Sequence, residues 1–227
     1  MFTSPFLAFF FVLYLIILGV LFAILQVGVI SFVFTRIGVP AETVFTLLLL
    51  SLLGSYINIP IKRVRSDLIE PGRIVSFYGW KFEVPGAHRQ KESVLAINLG
   101  GAIVPSLVSF YLIAINLDIL FSIALAVAIV SAIVFRLARP LKGVGIVIPT
   151  FVPPIAAALA AVVISQPDAP IIAYVSGSLG TLIGADLMNL KKISGLGAPV
   201  ASIGGAGTFD GVFLTGIIAV LLTSFQV

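Results

Sequence analysis

Seven stretches of apolar residues divide this chain, most of them about as long as a bilayer is thick, and no other feature limits its fold as strongly. They cover residues 5–34, 40–59 and 94–115, a fourth run ending near Arg136, then 144–165, 169–190 and a last run ending at Phe225. About 20 apolar residues in a helix cross a hydrocarbon layer ~30 Å thick. Inside that layer every backbone N–H and C=O must find an internal partner, so runs of this length resolve as helices. Composition supports this where it can decide. Only 10% of residues are charged and mean hydropathy is +1.24, whereas a soluble domain carries roughly 25% charge. The expected fold is all-α: a polytopic membrane helix bundle of about seven transmembrane helices, forming a single domain over residues 1–227. The first run lacks a basic leader and exceeds the length of a signal-peptide core, so it is expected to be a permanent span.

The charges orient the bundle. With seven spans, Lys62, Arg63, Arg65, Arg73, Lys81, Arg89, Lys91, Arg136, Arg139, Lys142, Lys191 and Lys192 share one side, and Arg36 stands alone on the other. Basic residues gather in cytoplasmic loops, which places the N-terminus in the cytoplasm and the C-terminus outside, with Asp118 and Asp168 on the outer face. The net charge of +4 then reflects topology, and nucleic acid is not expected as a partner. The one long polar segment, 60–93, becomes a cytoplasmic loop between helices two and three. After Gly79 it alternates, with Trp80, Phe82 and Val84 on one face and Lys81 and Glu83 on the other, which predicts a small β-hairpin turning near Gly79. Its aromatic face suits the headgroup layer, or an edge that pairs with an extended peptide.

Several chemistries are excluded. The chain has no cysteine, and its only histidine, His88, lies in the polar loop. A His/Cys zinc site and a histidine-activated serine within the membrane are therefore ruled out. No Gly-x-x-x-x-Gly-Lys loop is present, which argues against a P-loop ATPase. No cofactor or metal is expected.

Two acidic residues lie within spans: Asp186, in Gly184-Ala-Asp-Leu-Met-Asn189, and Asp210, in Gly204-Gly-Ala-Gly-Thr-Phe-Asp-Gly211. A carboxylate in a span costs at least ~2.5 kcal/mol on insertion scales, so it tends to face the protein interior and to have a task. Asp186 precedes Lys191 by five residues, about 7.5 Å of helix, and Asp210 lies a few residues into the next, antiparallel span. Matching depth on neighbouring helices makes them a candidate catalytic pair. In low dielectric both cannot ionise cheaply, which leaves an acid beside a base, as hydrolysis by an activated water requires. Gly184, Gly204, Gly205, Gly207 and Gly211 would let backbones approach closely or unwind a turn. Asn98, Asn189 and Thr208 are candidate contacts to a substrate or ion.

This arrangement resembles the intramembrane aspartyl proteases, presenilin and signal peptide peptidase, in which one catalytic Asp lies in the sixth span and a Gly-x-Gly-Asp motif opens the seventh. The resemblance covers about residues 170 to 216 and implies that Asp186 is the first catalytic residue and Asp210 the second. Here two residues separate Gly207 from Asp210. Over its whole length the chain is similar to a prokaryotic membrane protein family known as domain of unknown function 1614. The segments that carry this likeness are Leu99-Gly-Gly-Ala-Ile-Val-Pro105, Gly184-Ala-Asp186 and Gly204-Gly-Ala-Gly-Thr-Phe-Asp-Gly211. It implies a plasma-membrane protein and no particular activity.

The same residues admit other readings. Three interrupted regions, 98–105, 149–154 and the Gly-rich stretch before Asp210, are of the kind that builds central sites in transporters. Leu99-Gly-Gly-Ala102 also echoes Ile203-Gly-Gly-Ala206. Asp186 and Asp210 would then carry a proton or bind a cation for a small-solute carrier. A non-catalytic accessory subunit is the third reading. The expected partners are the lipid bilayer and either a transmembrane peptide or a small ion or solute.

Overall fold

The computed structural model describes residues 5–65, 73–77, 80–84, 92–141, 145–195, 200–205 and 211–224. The apolar runs become α-helices: α1 (Pro5–Arg36), α2 (Ala41–Gly54), α3 (Val104–Ile115), α4 (Leu120–Leu137), α5 (Val152–Ile164), α6 (Ala169–Thr181) and α7 (Gly211–Ser224). These are seven helices among the described residues. Three helical stretches, Phe11–Arg36, Leu117–Leu137 and Ala169–Lys192, are long and apolar enough to cross a membrane. Four shorter apolar helices accompany them: Glu42–Gly54, Leu99–Ile115, Val152–Ile164 and Gly211–Ser224. α2, α3, α5 and α7 are about 18–21 Å long, less than the hydrocarbon layer.

The bundle is arranged around α6. Residues 172–178 of that helix are all buried, and it packs against α3, α4, α5 and α7. Small residues set the spacing. A Cβ on Gly177 would lie 3.3 Å from the Thr215 carbonyl oxygen of α7, and one on Gly180 would lie 2.8 Å from Val130 of α4. Helices in lipid associate through this kind of close approach, because burying apolar surface gains little there. α1 stands apart. Its residues 11–21 and 23–29 are exposed, and only its last turns reach the core, where Phe34 lies 6.0 Å from the Tyr174 ring and 6.4 Å from that of Phe213.

The helices are short because strands take over their ends. The second apolar run gives up residues 58–59 to β1 (Asn58–Arg65), and the third begins as β4 (Glu92–Asn98) before any helix forms. β1 and β4 pair antiparallel, with a register shift between Pro60 and Lys62 that leaves Ile61 unmatched. Pro60 has no N–H to offer the ladder, and a bulge there is the ordinary outcome. β7 (Val200–Ile203) joins β4 in parallel, Ile97 opposite Ile203, so the sheet runs β1-β4-β7. Two further strand pairs are separate: β2 (Arg73–Phe77) with β3 (Trp80–Val84), and β5 (Arg139–Leu141) with β6 (Gly145–Val147). In the first, Phe77 faces Trp80, flanking residues 78–79 where the alternation puts the turn. The turn itself and His88 lie outside the described residues.

Candidate functional site

α6 does not continue as an α-helix beyond Thr181. From Leu182 to Asp186 it loosens into a π-helical turn, and from Leu187 to Gly195 it tightens into 3-10 geometry. Such breaks often mark functional positions. Gly184 allows this one: a Cβ there would lie 2.5 Å from the Ser131 carbonyl oxygen and 2.9 Å from Val134 Cβ. Asn189, fully buried, donates from Nδ2 to the carbonyls of Gly184 and Ala185, both at 3.0 Å, and so satisfies groups the altered helix leaves open. Its Oδ1 has no partner among the described residues. The break places Asp186 half-buried at the end of the π-turn.

There Asp186 Oδ2 accepts a 2.8 Å hydrogen bond from the Gly204 N–H. Gly204 and Gly205 follow directly on β7 with φ of 81° and 93°, a region that favours glycine. Gly204 also lies flat against a second π-turn, Leu99–Ile103, between β4 and α3. A Cβ on it would fall 2.6 Å from that of Ala102. Three breaks in regular structure therefore meet around Gly204: the end of α6 through Asp186, the turn after β7 and the turn after β4.

A polar clasp holds the strand ends. Asn98, 1% exposed, caps the π-turn by accepting the Gly101 N–H at 2.7 Å. Its Nδ2 donates to the Ser55 carbonyl at 2.6 Å and to Asn58 Oδ1 at 3.1 Å. Ser202 donates to the same Asn58 oxygen. Ser51 donates to the Gly100 carbonyl, where Gly54 and Gly100 bring α2 against the turn. Asn98 thus positions the break, and its side chain is occupied in doing so.

Of the residues the sequence singles out, Asp186, Gly184, Gly204, Gly205, Asn98 and Asn189 fall in or beside this junction. Gly211 opens α7, and among the described residues no atom lies within 4 Å of its Cβ position. Asp210, Gly207 and Thr208 lie outside the described residues. Sequence reasoning misses Asn58, Ser202 and Gly54. The one available signal is the echo of Leu99-Gly-Gly-Ala102 and Ile203-Gly-Gly-Ala206, which marks the carboxyl ends of two parallel neighbouring strands. Ligand sites in sheets with parallel strands gather at such ends.

The otherwise apolar bundle interior also holds buried hydroxyls. Ser131, Ser176 and Thr181 bury hydroxyls that have no partner among the described residues, and the buried hydroxyls of Tyr174 and Ser178 lie on the same helix. Ser109, Thr215, Thr223 and Ser224, by contrast, donate to carbonyls of their own helices.

Fold and junction define a class: a helical membrane protein whose central helix breaks at a carboxylate held against the end of a small sheet. The chain belongs to the family described as Protein of unknown function (DUF1614), whose sequence profile matches residues 52–222, from the end of α2 through nearly all of α7. No curated protein and no solved structure matches it.

Proposed function

We propose that this protein is a seven-span integral membrane hydrolase, with Asp186 and Asp210 as its catalytic pair and a peptide segment within the membrane as substrate. The observation that carries this reading is the hydrogen bond from the Gly204 N–H to Asp186. It ties the first carboxylate to the start of the glycine-rich segment that brings in the second six residues later. Helix packing supports it. α6 and α7 meet where Gly177 touches Thr215 and Gly216, and Gly211 lies about 6 Å of helix rise from Thr215, toward the end that holds Asp186. In the proposed reaction one carboxylate takes a proton from the attacking water and the other protonates the leaving amine. We further propose a prokaryotic plasma-membrane location, with the N-terminus and the β2–β3 pair cytoplasmic and the C-terminus outside.

The test uses a photocrosslinking probe built on a hydroxyethylene isostere, which mimics the tetrahedral intermediate and needs both carboxylates. Full-length protein in liposomes is expected to be labelled, and Asp186→Asn and Asp210→Asn each to lose labelling while staying monodisperse. Equal labelling of wild type and both variants would rule the hydrolase out.

A carrier is favoured by one observation of its own, the buried hydroxyls of Tyr174, Ser178 and Thr181 on the helix that leads to Asp186. That reading predicts proton- or sodium-driven flux in proteoliposomes, lost in Asp186→Asn, with no peptide product.

A further inference from the structure

The outer surface of a membrane bundle is apolar on all sides, so a groove there carries meaning only if its end selects an occupant. An open apolar groove of about 430 Å³ runs between α4 and α5. Ile129 and Ile133 line one side, and Val152, Ile155, Leu159 and Val163 the other. Along α5 it extends about 18 Å. On α4, Ile129, Ile133 and Arg136 are spaced i, i+4, i+7, so exposed Arg136 continues the groove's own stripe one turn past its last apolar residue. α5 starts from that same end, because only the short β5–β6 ribbon separates it from α4. Arg139, also exposed, opens β5. Among the described residues Arg136 and Arg139 form no ion pair.

We propose that this groove is a binding site for an anionic phospholipid, with one acyl chain lying between α4 and α5 and the phosphate held by Arg136 and Arg139. Charge selects the occupant. A neutral hydrocarbon would fill the groove and leave two guanidinium groups unmatched at its end, whereas a phosphodiester offers them paired oxygens. Basic pockets between helices at one membrane face are the general form of such a site. The site is separate from Asp186 and does not depend on the hydrolase reading.

The test reconstitutes the full-length protein in phosphatidylcholine nanodiscs with phosphatidylglycerol as a minor component, extracts it in mild detergent and counts retained lipid by native mass spectrometry. Phosphatidylglycerol is expected to be enriched at least tenfold over its mole fraction. The combined variant Arg136→Gln, Arg139→Gln is expected to abolish the enrichment, and the corresponding Arg136→Lys, Arg139→Lys variant to keep only part of it. Ala156→Trp, which fills the groove and leaves the cations in place, is expected to abolish it as well. Retention in proportion to mole fraction by the wild type overturns the proposal without reference to any variant. Unchanged enrichment in Ala156→Trp also overturns it, since that would reduce the effect to surface attraction.

Discussion

Gly204 serves twice from one backbone position: its N–H holds Asp186, and its missing side chain lets the turn lie against Ala102. Gly204→Ala should therefore be more damaging than an average glycine replacement. It forces a side chain into the left-handed region and into Ala102, at an expected loss of more than about 2 kcal/mol, readable as a lowered thermal midpoint in detergent. Asp186 separates stability from chemistry. Asp186→Asn keeps an oxygen to accept the Gly204 N–H and should unfold close to the wild-type temperature. Asp186→Leu leaves that donor unpaired and should cost about 1–3 kcal/mol. The packing glycines offer a contrast within one protein. A Cβ on Gly216 would meet Ser178 Oγ at 2.5 Å, whereas Gly28 has open space around it. Gly216→Ala should then lose about 1–3 kcal/mol, and Gly28→Ala should be neutral or gain up to about 1 kcal/mol, measured in the same melts.

Among the elements, helices were readable from the sequence and the sheet was not, for a reason of range. Twenty apolar residues announce a helix by themselves, and the alternation of Trp80, Phe82 and Val84 announces β3. Residues 94–98 form a short apolar run whose periodicity cannot separate strand from helix, and it reads as the start of a span. Its partners lie far away: β1 some thirty residues earlier, and β7 beyond α3, α4, α5 and α6. Local pattern carries no trace of a parallel pairing at that distance. The site was legible to the same degree. Asp186 stands out as a carboxylate in an apolar run, but the π-turns and the donor at Gly204 depend on contacts between segments. Asn98 tests this element-scale account. Asn98→Ala removes the cap on Gly101 and the bonds to Ser55 and Asn58 together, and should release the Leu99–Ile103 amides to fast hydrogen exchange while α4 and α5 stay protected.

For the molecule as a whole, the absence of cysteine provides a clean background for mapping topology. Single replacements Lys62→Cys and Lys191→Cys should react with a membrane-impermeant thiol reagent from one side, and Asp118→Cys and Asp168→Cys from the other. Lys62→Cys and Lys191→Cys reacting from opposite faces would contradict the seven-span arrangement. The pairing of β4 with β7 also has a consequence in time. A ribosome releases β4 about a hundred residues before β7, so during that interval β4 has only β1 beside it and Asp186, once made, still lacks its Gly204 donor. The junction closes only when the last part of the chain arrives. Any chemistry housed there is withheld from the nascent protein, and a product truncated before β7 would reach the membrane as helices without a site.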